Sequence, residues 1–301
     1  MDLRQLEYVV AVADSGGFTR GAAAAHVAQP SLSARVRDLE QELGVELFHR
    51  VGRGARLSAA GEVVVDHARL VLRDVAGLRA AASAVAGLEG GALDVAALPT
   101  LAVDPLAALI GRFRAAHPRV VVRVEEADDA RGPGGVAELV RSGRVEIGVA
   151  ELPAGAGDLV SFALADQELF AIGLSVSGRG RVPLEVLARS PMVLTPPGTS
   201  SRRVVDAALA ALGLEPTVAV EVAQREAVIP LVLAGAGIGF VPGAQAEAAR
   251  AQGASVVRPR PTLVRRIGLL HRPSRRSPAA EAFLALARGS AAPRGVSRSD
   301  R

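Results

Sequence analysis

Apolar residues recur at a helical period through the first sixty positions. Leu3, Leu6, Val10 and Ala13 share one face of an expected first helix, and Asp14-Ser15-Gly16-Gly17 ends it. A short helix is expected over about Thr19–Ala25, and a third begins at Gln29-Pro30, with proline at the first helical position where its missing N–H costs nothing. In that helix Leu32, Val36, Leu39 and Leu43 point inward, and Gly44 stops it. Leu47–Val51 reads as a strand, Gly52-Arg53-Gly54 as a turn and Ala55-Arg56-Leu57 as the return strand. Ser58 suits the N-cap of a long helix reaching about Leu88. Along it Val64, Ala68, Val71, Val75, Leu78, Ala82 and Val85 alternate steps of four and three, the stripe of a coiled-coil seam that dimerises.

Beyond Glu89-Gly90-Gly91 strands alternate with helices, the pattern of α/β units on a largely parallel sheet. Strands are expected at Ala92–Leu98, Val120–Glu125, Val145–Ala150, Leu169–Leu174, Met192–Thr195, Val218–Val222 and Ile238–Pro242. Helices are expected at Pro105–His117, Gly135–Ser142, Ser200–Leu212, Ala227–Ala234 and Ala279–Ala287. The uncharged run Ala227–Ala246 is broken by Pro230, Pro242 and four glycines, so it reads as a buried helix, a glycine turn and a buried strand rather than a membrane span.

Composition then removes function classes. With no cysteine, disulfides, thiolate metal sites and cysteine nucleophiles are excluded, as a cytoplasmic chain would allow. The five histidines are scattered and form no metal-ligand pattern, and no metal or cofactor is expected. Gly235-Ala236-Gly237-Ile238-Gly239 precedes a strand, not a helix, so it is no dinucleotide loop. No Walker motif, GxSxG or paired catalytic carboxylates are present, and no enzyme is expected. All 35 basic residues are arginine, yet the net charge of +4 does not locate a nucleic-acid surface. Residues 1–58 carry seven arginines and seven acids, whereas residues 288–301 carry four arginines and one acid.

Placement of charge is more telling. Three helices and a hairpin in this order make a winged helix-turn-helix, whose third helix enters the major groove. Pro30, Ser31, Ser33, Ala34 and Arg37 lie away from the apolar face, with Arg35 at its edge and Gln29 at the helix start. Gln pairs with adenine and Arg with guanine. The hairpin adds Arg50, Arg53 and Arg56 without an acid, and Thr19 and Arg20 open the bracing helix. These twelve residues are the expected DNA contacts. Gly21 in the bracing helix is expected to weaken it by about 1 kcal/mol relative to Ala.

The residues that carry this unit resemble the LysR-type transcriptional regulators: Leu3-Arg4-Gln5-Leu6, Gly17-Phe18-Thr19-Arg20, Val27-Ala28-Gln29-Pro30-Ser31-Leu32-Ser33, Leu39-Glu40-Gln41-Glu42-Leu43-Gly44, Leu47-Phe48, Arg50, Gly52-Arg53-Gly54, Leu57-Ser58 and Ala60-Gly61. The resemblance implies an N-terminal winged helix-turn-helix over residues 1–58, a linker helix over 59–88 and a two-lobed, periplasmic-binding-protein-like α/β sensor over 89–288. Lobe I would take about 91–161 and 267–288, lobe II about 162–266, with a flexible tail at 289–301. It also implies promoter DNA as partner, a dimer or tetramer, and an inducer in the cleft between the lobes. Strand ends, where α/β folds bind ligands, offer Pro99 and Thr100, then Gly198, Thr199, Ser200, Ser201 and Arg202 as a carboxylate cradle, and Gln224 as a third wall. The competing expectation is a small-molecule receptor or enzyme with a vestigial N-terminal helix-turn-helix.

Overall fold

The computed structural model describes residues 1–51, 54–85, 90–127, 134–154, 157–174, 180–273 and 276–290, without the side chains of 50, 51, 80, 81 and 83–85. The described chain forms two compact units, one mainly Met1–Gly91 and the other mainly Ala92 onward. Among the described residues no helix is long and apolar enough to cross a membrane.

The first unit holds α1 (Leu3–Ser15), α2 (Phe18–Ala24), α3 (Gln29–Leu43), the antiparallel hairpin β1 (Phe48–Val51) and β2 (Gly54–Leu57), and α4 (Ala59–Val85). Asp2 and Gln5 start α1 as a reciprocal capping box, each side chain accepting the other's backbone N–H at 2.8 Å. Ser58 caps α4 by accepting Gly61 N–H at 2.9 Å while its hydroxyl donates to Glu46 O. The core is Leu6, Val9, Val12, Leu32, Val36, Leu39 and Leu47 with Val65 and Ala68 of α4. Each fully buried Leu or Val contributes roughly 1.5–3 kcal/mol. On α1 the buried face is Gln5, Leu6, Val9 and Val12, so Leu3, Val10 and Ala13 are more exposed than their spacing suggested. Leu43, expected to face inward, is exposed in the last turn of α3.

Gly21 corrects an expectation. A Cβ there would lie 2.9 Å from Val12 Cα and 3.0 Å from Val12 N. The backbones of α1 and α2 meet at this residue, so glycine permits the packing rather than weakening it.

The second unit opens with β3 (Gly91–Ala97), a short α5 (Pro99–Leu101) and an irregular turn over Ala102–Leu106. Pro105 cannot continue a helix backwards, so α6 runs Ala107–Ala116 and not from residue 105. β4 (Val120–Glu126), α7 (Gly134–Arg141), β5 (Ile147–Glu151) and β6 (Val160–Gly173) follow. Then come β7 (Arg181–Pro183), α8 (Leu184–Leu187), β8 (Met192–Leu194), α9 (Ser200–Ala210), β9 (Val218–Glu221), α10 (Val228–Leu233), β10 (Gly239–Pro242), α11 (Gly243–Ala251), β11 (Ser255–Arg260), β12 (Leu263–His271) and α12 (Pro278–Ser290). The uncharged run is indeed helix, glycine turn and strand. α12 extends through residues 289 and 290, where the tail was expected to begin; residues 291–301 lie outside the described residues.

The main sheet has the order β4-β3-β5-β12-β6-β11-β7, with β10 also on β6, and β8 pairs with β9 separately. It is mixed, not largely parallel: β3–β5 and β11–β7 are parallel, whereas β12 is antiparallel to both β5 and β6, and β10 and β11 are antiparallel to β6. The long strands β6 and β12 pass between the two lobes. Their pairing shifts register between Ile267 and Gly268. There a Cβ on residue 268 would fall 2.3 Å from Leu152 Cδ1 and 2.7 Å from Phe162 O, so only glycine fits the crossing. Lobe I packs Phe113 of α6 edge-on to Phe283 of α12 at 5.4 Å, and lobe II packs Leu169, Leu184, Met192, Val205, Leu209 and Phe240.

Candidate functional site

The N-terminal part of α3 is a polar, solvent-facing surface. Gln29, Pro30, Ser31, Ala34, Arg35 and Arg37 are all exposed, because Leu32, Val36 and Leu39 commit the opposite face to the core. Proline occupies the first turn, leaving backbone N–H groups at the helix start directed outward, where phosphate binds well. Ser33 corrects the sequence reading: it is 4% exposed, and its carbonyl accepts from Arg37 Nε at 3.2 Å, so it is not on the reading face of the free chain. Next to Leu32 and one turn before Val36, it sits at the core's edge beside Phe18 and Phe48, which stack edge to face at 5.5 Å. Arg20 is exposed but already employed: Nε donates to Ser15 O at 2.6 Å and Nη2 to Gly16 O at 3.1 Å, closing the end of α1. Thr19 and Arg56 are exposed. The Arg50 side chain and the whole of Arg53 lie outside the described residues.

One residue that sequence reasoning passed over ties this surface to the wing. Glu40 Oε1 accepts Leu47 N–H at 2.8 Å and Phe48 N–H at 3.3 Å, fixing the start of β1 against α3. Its exposed-looking place among Gln41 and Glu42 gave no signal of that role.

The α4 stripe divides. Ala68 is buried in the winged core and Val64 packs on it, so these two belong to the fold of the unit and Ala68 is not on a dimer seam. Val75 is half-buried and Ala82 exposed, while Val71 is 43% and Leu78 69% exposed. The side chain of Val85 lies outside the described residues.

The second unit builds its polar centre around Arg265, a β12 residue that is 2% exposed. Arg265 Nε and Nη2 donate to Gln167 Oε1 at 2.9 and 2.5 Å, Nη2 to Thr100 Oγ1 at 2.8 Å, and Nη1 to Ser200 Oγ at 2.8 Å, with a longer 3.5 Å approach to Ser201 Oγ. Gln167 in turn donates to the carbonyl and carboxylate of Asp104 at 3.0 Å. Ser200 donates to Glu151 Oε2 at 2.6 Å, and Arg203 Nη2 meets the same oxygen at 2.6 Å. Thr100, Asp104 and Glu151 come from lobe I; Gln167, Ser200, Arg203 and Arg265 come from lobe II. The cleft is therefore crossed by a connected polar network.

A cavity of about 20 Å³ adjoins it, lined by Thr100 from lobe I and by Thr195, Ser201, Arg202, Arg225 and Phe240, among others, from lobe II. That is room for about one water.

Of the expected cleft residues, Thr100, Ser200 and Ser201 converge on Arg265, and Pro99 opens the short helix that presents Thr100. Thr199 does not face the cavity: its hydroxyl pairs with Thr195 Oγ1 at 2.6 Å and donates to Pro196 O at 2.9 Å. Arg202 lines the cavity, but its Nε donates to Asp206 at 2.7 Å and its Nη1 to Thr195 O at 3.1 Å, so it is held in the lobe rather than aimed as a cradle. Gly198 adopts φ 87° in an exposed turn, where its carbonyl accepts from Arg203. Gln224 is exposed and outside the cavity lining; its neighbour Arg225 takes the wall position.

A winged helix-turn-helix followed by a two-lobed α/β domain with a polar cleft defines a DNA-binding regulator that carries a ligand-sensing domain. The comparisons agree. Residues 3–62 match the bacterial regulatory helix-turn-helix protein, lysR family, and residues 86–292 match the LysR substrate binding domain. The chain belongs to the LysR family of DNA-binding transcriptional regulators, and it is not an enzyme. It is 29% identical over 281 residues to the DNA-binding transcriptional dual regulator OxyR of Escherichia coli K12, covering 91% of this chain and 90% of that one. Among solved structures, full-length OxyR from Pseudomonas aeruginosa, in a variant form, is similar with a TM-score of 0.75 at 25% identity, covering 97% of this chain and all of the other. Full-length CbnR complexed with target DNA is similar with a TM-score of 0.57 at 26% identity over 97% of this chain and all of that one.

Proposed function

We propose that this regulator acts in the cytoplasm, where it binds an interrupted palindromic promoter site as a dimer of dimers. A carboxylate-bearing small molecule between the lobes then changes the spacing of the paired reading heads. The observation that carries the DNA part is the exposed row Gln29, Pro30, Ser31, Ala34, Arg35 and Arg37 on a helix whose other face is core. The likeness to CbnR, solved on its target DNA, supports the same use of this unit. The exposed Val71 and Leu78 on α4 support pairing of that helix with a second copy.

The sensing chemistry is a separate matter. Relatives include proteins named hydrogen peroxide-inducible genes activator, but this chain has no cysteine, so thiol oxidation is closed to it. The cleft instead offers the hydroxyls of Thr100 and Ser201 and the guanidinium of Arg225, a set suited to an anionic oxygen. Binding must favour one lobe arrangement over the other, typically by about 1–3 kcal/mol, to couple to DNA.

Base readout is tested with Gln29→Ala against promoter fragments randomised at the half-site. A loss of about 1–3 kcal/mol, with preference relaxed at one base pair, is expected. An unchanged preference at every position overturns the assignment of α3 as the reading helix.

A further inference from the structure

The cleft reading above leaves open which group decides what the cavity accepts, and the hydrogen-bond directions around Arg265 answer it. A hydroxyl has one hydrogen to donate and two lone pairs to accept with. Arg265 has only donors, so every hydroxyl it touches is used as an acceptor. Thr100 Oγ1 accepts from Arg265 Nη2 at 2.8 Å, and Ser201 Oγ receives the longer approach from Nη1. Both residues also line the cavity. Among the described residues neither hydroxyl donates to a protein acceptor, although Thr100 is buried. Ser200 differs: it accepts from Arg265 but spends its hydrogen on Glu151.

We infer that Arg265 is a specificity-determining residue that never touches the ligand. By donating to Thr100 and Ser201 it takes one lone pair of each hydroxyl and turns the unspent O–H of each toward the cavity as a donor. A ligand oxygen that only accepts satisfies both hydrogens; an amide N–H₂ in the same place leaves them without an acceptor. The neighbouring Arg225 adds a cation on the same wall. The ligand class is therefore an oxyanion, either a small carboxylate or an inorganic oxyanion. The inter-lobe links of Arg265 to Thr100 and of Gln167 to Asp104 also mean that a ligand larger than about one water enters only as the lobes part or these side chains move. Gln167 holds Arg265 in register through two bonds to one oxygen, so the orientation of the guanidinium is set from β6 rather than by the ligand.

This inference rests on the cleft being the effector site, and the test separates the two. Full-length protein is titrated, by thermal shift and calorimetry, with matched carboxylate and carboxamide pairs (acetate and acetamide, benzoate and benzamide, succinate and succinamide) and with sulfate and phosphate. Wild type is expected to bind one or more of the anions, preferring an acid over its amide by about ten-fold or more. Sulfate or phosphate alone as a binder identifies the inorganic source; an acid alone identifies the carboxylate. Thr100→Val and Arg265→Gln are expected to erase that preference, Thr100→Ser to restore it, and Arg265→Lys to retain part of it. A purely structural Arg265 would lower stability but leave the acid-to-amide ratio unmoved. Amides binding as well as acids, a ratio unchanged in Arg265→Gln and Thr100→Val, or no binding by any probe overturns the inference. Promoter binding measured on the same samples reports separately on the regulator reading: if it is retained while the preference is absent, only the specificity assignment falls.

Discussion

The winged unit and the effector unit place their polar chemistry in opposite ways. In the first, the candidate DNA-contacting side chains Gln29, Ser31, Arg35, Arg37 and Arg56 are exposed, close in sequence and carried by one helix and its following hairpin. In the second, the central polar residues Thr100, Gln167, Ser200 and Arg265 are buried, Asp104, Glu151 and Arg203 beside them are half-buried, and together they come from positions up to more than 160 apart along the chain. The contrast follows from the partners. A duplex presents its phosphates and base edges from outside, so a surface meets it. A small molecule is recognised by enclosure, so its site needs desolvated donors whose own partners are satisfied.

That contrast breaks down if the cores of the two units do not fail separately. The largest expected effect is Leu32→Ala, which removes a fully buried side chain of the winged core and costs about 2–5 kcal/mol. Calorimetry is expected to show the transition of the first unit lowered while that of the second holds. A single merged shift would mean that the units do not unfold independently.

Next come the two glycines at close approaches. Gly21→Ala is expected to destabilise the winged unit by about 1–3 kcal/mol, since its Cβ meets the α1 backbone at 2.9 Å. Helix propensity alone predicts the reverse, a gain of about 1 kcal/mol. Denaturant midpoints decide between them. Gly268→Ala is expected to cost a similar amount in the effector unit, read in the same experiment.

A smaller effect sharpens the picture of the reading surface. Glu40→Ala removes the acceptor for Leu47 and Phe48 N–H and is expected to cost about 1–2 kcal/mol. It is also expected to loosen the start of the wing, seen as faster amide exchange at residues 47 and 48. Unaltered exchange there would show that the hairpin is held by its apolar contacts alone.

The sequence pattern revealed the winged unit almost element by element because its helices are amphipathic and bounded by strong stop signals, such as Gly44 at φ 70°. The exceptions are instructive. Ser33 reads as outward on a helical wheel, but Phe18 and the wing cover that side, which no periodicity within α3 can encode. The first part of the α4 stripe packs on its own domain, which spacing along one helix cannot foretell. In the effector unit β8, β9 and β10 were found, but β7, β11 and β12 were not, and β6 was found only in its second half. β12 carries Arg265 and Arg266 in succession, and a polar pair inside an apolar run reads as surface. Its alternation over residues 263–266 gives way to complete burial over 267–271 as it crosses from one lobe to the other. Arg265 was hidden for the same reason: the acceptors that make burial of its charge tolerable arrive from distant segments. Thr100, Ser200 and Ser201 were legible because they open helices that follow strands, the place where this class of fold binds ligands.

Charge is where the two regions and the composition meet most directly. Residues 1–58 are neutral in sum, and the excess of arginine lies at the far end of the chain, yet the DNA-binding face is assigned to the neutral unit. The decisive measurement is promoter affinity of the full-length protein as a function of salt, compared with Arg35→Ala/Arg56→Ala and with a chain lacking residues 291–301. Each arginine that neutralises a phosphate contributes about one unit to the salt slope. The double variant is expected to bind more weakly with a slope reduced by about two, while removal of the three arginines and one acid of residues 291–301 leaves affinity and slope as they were. Unchanged binding by the double variant, with loss on removing residues 291–301, would contradict the account.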